Sequence, residues 1–195
     1  MYSSVRKLLI FSILILVIAG ASKAQVKNQA NNKTKTISIG SAYQGGIIFY
    51  ILQPDDIGYE PNIIHGLIMA PYNQNDRAIW GANFYAEKIG TSSRIGTGVT
   101  NTMNIITRQG EGSYAAKLCA DLSLGGYNDW FLPSKEELNK MYQNKNQLTN
   151  PPKYFCWSST EDFQPSMIWY QDFSDGNQDY IVPGIEYGVR AIRAF

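Results

Sequence analysis

Short apolar blocks and polar intervals succeed one another along this chain, and the spacing of the apolar positions changes several times. Ile47-Ile48-Phe49-Tyr50-Ile51-Leu52 is a continuous apolar run, preceded by Gly45-Gly46 and closed by Pro54-Asp55-Asp56. Such a run of β-branched and aromatic residues between turn formers predicts a buried strand. Gly66-Leu67-Ile68-Met69-Ala70 ends at Pro71 and predicts its hairpin partner, reached through a long loop over 55–62. Residues 79–104 are rich in Gly, Thr and Ser, with Trp80 and Phe84 as anchors and Asn101 or Thr102 capping the loop into a helix. Helical spacing is clear over 113–122, where Ala116, Leu118, Cys119 and Leu122 share a face before Gly125-Gly126 stops the element. A second helix begins at Ser134. Ser134-Lys135-Glu136-Glu137 is a capping box, in which the hydroxyl accepts from the third helical amide and Glu137 reaches back to the Ser134 amide. Leu138, Met141 and Tyr142 form its apolar stripe.

The last third predicts strands. Residues 155–159 are one. Residues 167–173 alternate, with Ile168, Tyr170 and Asp172 on one face and Trp169, Gln171 and Phe173 on the other. Ser174-Asp175-Gly176-Asn177 carries the Asp-Gly step of a hairpin turn, and 179–182 return. Residues 188–194 form a final strand. Strands, then helices, then strands, without regular βαβ alternation, predict the α+β class with antiparallel strands, two main helices and long loops.

The N-terminus has a different pattern. Arg6 and Lys7 precede an apolar stretch over 8–18, and Ser22 and Ala24 place small residues at −3 and −1 of a cleavage point before Gln25. This is the layout of a secretory signal peptide over 1–24, too short in its apolar part to span a bilayer. Residues 25–38 read as a flexible polar leader, and 39–195 as one domain. The mature chain would be secreted, periplasmic or displayed at the cell surface, with no stable membrane span after cleavage. Losing Arg6, Lys7 and Lys23 takes the formal charge from +1 to −2, which offers nothing to grip nucleic acid.

Candidate chemistry is sparse. His65 is the only histidine, so a multi-histidine zinc site is excluded, and no G-x-S-x-G elbow accompanies it. Cys119 and Cys156 are the only cysteines; in an oxidising compartment they bridge or stay as core thiols, and spacing alone does not decide. The glycines over 95–102 lack the Lys of a P-loop and the G-x-G-x-x-G spacing. Glu136 and Glu137 are adjacent on a helix and diverge, so they do not form a catalytic pair. Glu60-Pro61-Asn62 matches a calcium-binding tripeptide of animal lectins, but stands too early in the chain and lacks its companion motif. Asp172, Asp175, Asn177 and Asp179 are four oxygen donors within eight residues, chemically suited to Ca²⁺ and equally natural at a hairpin tip. Sugars stack on aromatic faces and hydrogen-bond at the rim, which makes Trp169 and Tyr170, with Asp175 and Asn177, the linear candidates for a ligand site. Only one of Trp169 and Tyr170 can face outward from a strand.

Three elements carry a family resemblance: Gly125-Gly126-Tyr127-Asn128-Asp129-Trp130-Phe131-Leu132-Pro133-Ser134, Trp157-Ser158-Ser159-Thr160-Glu161, and Val189-Arg190-Ala191-Ile192-Arg193-Ala194-Phe195. Together with Gly45 to Tyr50 and Trp80-Gly81, the chain from Tyr43 to Phe195 resembles the Lcl C-terminal domain family, a bacterial family named from a collagen-like adhesin. The resemblance implies a C-type-lectin-like fold and a surface protein that binds polysaccharide or other cell-surface components. The collagen-like repeat is absent here. The motif residues read physically as packing: Trp130, Phe131 and Trp157 as core, Ser158 and Ser159 bonded to backbone, and Arg190 and Arg193 paired with acids such as Glu161 or Glu137. The expected function is a non-enzymatic binding or adhesion module without a cofactor. The alternatives are a structural subunit of a surface assembly, and a cysteine-dependent oxidase of the formylglycine-generating type.

Overall fold

The computed structural model describes residues 37–81, 88–164 and 166–195. The signal peptide expected over 1–24, most of the leader and Phe84 lie outside these residues. Ile37 already packs against the core. The chain then forms β1 (Ala42–Tyr43), β2 (Gly46–Ile51), β3 (Gly66–Met69) and β4 (Asn75–Ala78). Helices α1 (Gly98–Gln109), α2 (Ala115–Ala120) and α3 (Lys135–Gln143) follow, with one 3₁₀ turn at Lys145–Gln147. The chain ends in β5 (Phe155–Glu161), β6 (Ile168–Asp172), β7 (Gln178–Ile181), β8 (Tyr187–Val189) and β9 (Ile192–Ala194).

These elements make a mixed α+β fold with two sheets, one ordered β1-β2-β3-β9 and the other β4-β8-β5-β6-β7. The expected hairpins form: β2 pairs antiparallel with β3, and β6 with β7 around Gly176 at φ 94°. A side chain at Gly176 would also run into the ring of Tyr142. Not every pair is antiparallel, because β5 and β8 run parallel through Cys156 and Gly188.

Two element boundaries differ from expectation. The glycine-rich stretch does not delay its helix to Asn101 or Thr102. Helix α1 starts at Gly98, and Asn101 and Thr102 are buried inside its first turns. Asn101 donates to Ser92 O at 2.7 Å and to Ser159 Oγ at 3.0 Å, so it ties the helix to a loop and to β5 and does not cap it. The described fold therefore has three α-helices, and the longest is the one whose polar residues obscure it. The final run is also not one strand. Val189 ends β8 in one sheet, Ile192 begins β9 in the other, and Arg190 with Ala191 carries the chain across. The Ala191 amide donates to the side chain of Gln74.

The three signature elements brace one another. Phe131 and Ile192 exchange backbone hydrogen bonds at 2.8 and 2.9 Å. Ser159 N donates to Pro133 O at 2.7 Å, and Lys135 N to Thr160 Oγ1 at 2.9 Å. Beneath them Trp80 and Trp157 are wholly buried, and their indole N–H groups cross: Trp80 Nε1 donates to Ser158 O in β5 and Trp157 Nε1 to Ala78 O at the end of β4, both at 2.8 Å. A buried indole needs such a partner, and here the need locks β4 onto β5. Trp130 and Phe131 are buried as expected, and Ser158 Oγ donates to Trp169 O.

The acids expected to meet the arginines do something else. Arg193 pairs with Asp129, at 2.7 Å through each of Nε and Nη2. Arg190 spends its guanidinium on Asn73, Ala70 O and Asn150 O. Glu161 instead accepts the amides of Ile89, Gly90 and Thr91. Glu137 completes the capping box with Ser134 and also accepts from Gly96 N at 2.8 Å and Gly98 N at 3.4 Å. The carboxylate is wholly buried, and a Cβ on Gly98 would collide with it. Burial pushes the carboxyl up to about 7 against the opposing pull of its amide donors.

Candidate functional site: an aromatic cleft at the crossing of the two sheets

A cleft of about 470 Å³ opens where the chain crosses from β8 to β9. The β3–β4 connection supplies Tyr72 and Asn73, β4 supplies Asp76, the segment after the 3₁₀ turn supplies Asn150 to Tyr154, and the start of β5 supplies Phe155. Pro151-Pro152 removes two amide donors and restricts the backbone on the approach to β5. Tyr154 is 75% exposed, Tyr72 50% and Phe155 41%, so three aromatic rings face solvent around one concavity.

Arg190 forms the floor and fixes the polar wall. It is almost fully buried, donates from Nε to Asn73 Oδ1 at 2.8 Å, and from Nη1 to Ala70 O and Asn150 O at 3.0 Å each. Asn73 passes the connection on, donating from Nδ2 to Asp76 Oδ1 at 2.7 Å, and Asn150 donates to Pro71 O at 2.7 Å. One guanidinium thus holds two loops in register. Burial lowers the Arg190 pKa to about 10, which leaves it charged at neutral pH. Cys156 lies beneath the same cleft, and burial pushes its thiol up to about 12. The result is a preformed surface with apolar ring faces beside amide, carboxylate and lysine groups. Such a surface suits a ligand with both an apolar face and many hydroxyls.

The aromatic surface continues along the sheet. Phe155 packs edge-on against Tyr170 at 5.5 Å between centroids and at a tilt against Tyr187 at 4.9 Å, and Tyr187 leans on Trp157 at 4.8 Å. Tyr170 is therefore adjacent to the cleft. Trp169 is on the other face, where Lys135 Nζ sits 3.2 Å from its ring centroid and Tyr180 packs at 5.2 Å. Both rings are half-buried.

At the β6–β7 tip the acids serve their own turn. Asp172 Oδ1 accepts from Ser174 N and Oγ, Asp175 accepts from Asn177 N and Nδ2, and Asp179 accepts from Tyr180 N. These are the local side-chain turns that Asp favours. Among the described residues no group of three or more His, Cys, Asp or Glu is placed to hold a metal ion. Glu60-Pro61-Asn62 is a tight turn, closed by a bridge between Glu60 and Ile63 with Asn62 at φ 68°. Cys119 and Cys156 are free, buried thiols.

The linear candidates Trp169, Tyr170, Asp175 and Asn177 belong to the β6–β7 hairpin, and the cleft is built by other segments. The cleft has one mark in the sequence: two aromatics, Tyr154 and Phe155, one residue after Pro151-Pro152 and just before the buried Cys156-Trp157 pair. Tyr72, Asn73 and Asp76 carry no comparable mark, because a fold partner 117 residues away, Arg190, gives Asn73 its role.

Among the described residues no helix is long and apolar enough to cross a membrane. No curated protein matches the chain. A family model does: residues 92–193 match the Lcl C-terminal domain, a bacterial domain of unknown function. The match takes in helices α1 to α3, strands β5 to β8 and nearly all of β9, and with them the mutually braced signatures; the chain belongs to the Lcl C-terminal domain family.

Proposed function

We propose that this chain is an exported, non-enzymatic binding module that holds polysaccharide in the cleft between Tyr72, Tyr154 and Phe155. The observation that carries this reading is the combination of three solvent-facing rings with a polar wall fixed by a buried arginine. Pyranose rings present an apolar face that stacks on aromatics and a hydroxyl rim that bonds to planar amides and carboxylates. Asn73 and Asp76 are of that kind, and Arg190 holds them without rearrangement, which limits the entropy lost on binding. Tyr170 extends the aromatic surface beyond Phe155. Export rests on the N-terminal signal pattern. The C-type-lectin-like reading rests on the resemblance and agrees with two small sheets, few helices and long connections.

The test is binding to a polysaccharide array by the folded protein and by Tyr154→Ala. Tyr154 is largely exposed, so its removal is expected to leave the melting temperature unchanged and to weaken binding at least about tenfold, a stacking contribution of about 1.4 kcal/mol. Absence of binding to every polysaccharide, or binding that survives Tyr154→Ala together with Tyr72→Ala, refutes the proposal. Sequencing of the exported form is expected to begin at Gln25.

A further inference from the structure

A second concavity lies away from the aromatic cleft, and its chemistry is different. It has a volume of about 420 Å³ and apolar walls from Leu52, Ile57, Val99, Phe131 and Phe195. Ile57 and Val99 stand at its mouth, each close to half exposed. The loop carrying Ile57 is anchored, since Tyr50 Oη donates to Asp56 Oδ2 at 2.8 Å and Gln53 N to the same oxygen at 2.7 Å. Gly96 lies directly under Ile57 and has no room for a side chain. The pocket is therefore held open by its own framework.

Its polar side chains are His65, Asp129 and Glu137, and Glu137 is already taken by the amides of Gly96, Gly98 and Ser134. His65 lines the pocket, and its Nδ1 lies 3.2 Å from Phe195 O. A carbonyl or carboxylate oxygen only accepts, so Nδ1 carries a proton, and whenever the ring is neutral Nε2 presents a lone pair. That Nε2 is shielded from water and has no hydrogen-bond partner among the described residues. Glu60 Oε1 lies 3.7 Å from Nε2, too far for a hydrogen bond, and is itself an acceptor. Asp129, also at the pocket, already has Arg193 on both oxygens. A buried acceptor without a donor is costly, and two acceptors 3.7 Å apart leave a position within hydrogen-bond reach of both for one nitrogen bearing several protons. Glu60 has most of its side chain in solvent and is free to swing as a ligand arrives.

We infer that this pocket binds a small apolar primary amine, its hydrocarbon body between Ile57, Val99 and Phe131 and its ammonium bridging His65 Nε2 and Glu60. The site is independent of the polysaccharide cleft, and the ligand adds what the pocket lacks, a donor and a positive charge.

The experiment titrates the folded protein at neutral pH with phenethylamine, phenethyl alcohol and ethylbenzene, following the amide resonances of Gly58, Val99 and Phe195. Saturable shifts are expected with phenethylamine, with the alcohol weaker and ethylbenzene at least about tenfold weaker, the worth of one charge-assisted contact. Glu60→Gln keeps the side-chain shape and is expected to lower amine affinity about tenfold without changing ethylbenzene binding. Val99→Trp fills the mouth and is expected to abolish all three; its melting curve and unperturbed distant resonances establish that it is folded. No saturable shift with phenethylamine overturns the inference. So does equal binding of amine and ethylbenzene, or amine binding unaffected by both Glu60→Gln and Val99→Trp.

Discussion

Arg193 grips Asp129 with two parallel hydrogen bonds, Nε to Oδ1 and Nη2 to Oδ2, each 2.7 Å long. The third guanidinium nitrogen donates to Gln44 Oε1 at 2.6 Å, and the plane lies 3.9 Å from the centre of the Tyr127 ring. One side chain thus joins β9 to the signature turn and to the β1–β2 connection. The geometry needs a planar fork, which a lysine ammonium does not provide. Arg193→Lys is expected to lower stability by about 2 kcal/mol, read from denaturant midpoints at unchanged slope. A midpoint equal to the wild type's would show that the fork is dispensable.

The pH dependence of folding is expected to have two opposed parts. The Asp129 carboxyl is held below its ordinary value, first by its hydrogen bond to Arg193, so its contribution is present above the ordinary aspartate range and is lost in strong acid. Glu137 is raised from 4.5 to about 7 by burial, so the folded state holds a proton that the unfolded state releases. Its contribution is full below 4.5 and is lost as pH rises through 7, with a slope of up to about 1.4 kcal/mol per pH unit. Melting temperatures across this range are expected to fall towards neutrality in the wild type and to level out in Glu137→Gln, which has no proton to lose. An identical slope in both proteins would remove Glu137 from the account.

Trp157 supplies both volume and a donor. Trp157→Phe keeps most of the ring but leaves Ala78 O without its indole partner, and a cost of about 2–4 kcal/mol is expected from the unpaired carbonyl and the residual void. Trp157→Ala is expected to cost about 3–5 kcal/mol. Ser134→Ala removes a hydroxyl that accepts from Glu137 N and donates to Arg94 O, so its cost is expected near the upper end of the capping range, about 2 kcal/mol. Equal stability of Trp157→Phe and wild type would mean that the indole hydrogen bond adds nothing.

Both thiols are buried, and burial raises each above its ordinary pKa. A thiolate is the reactive form, so neither cysteine is expected to react with a small aromatic disulfide reagent at neutral pH until the protein is denatured, when both react. Fast modification of either in the folded protein would contradict this and favour thiol-dependent chemistry.

Features decided by neighbours in the chain were legible beforehand. The capping box at Ser134 needs only a Ser and a Glu three residues apart, and the β6–β7 hairpin only an Asp-Gly step between alternating residues; both are present in the structure. The buried strands β2 and β3 follow from continuous apolar runs between turn formers. Long-range partners decided the rest. Residues 188–194 have uniform strand propensity, and the break at Arg190 exists because that guanidinium is claimed by Ala70, Asn73 and Asn150. Glu137 shows its cap in the sequence but not its grip on Gly96 and Gly98, some forty residues away. Local spacing encodes which hydrogen bonds a segment can make within itself. The cleft depends on which distant segments meet, and that is set by the two sheets packing around Trp80 and Trp157.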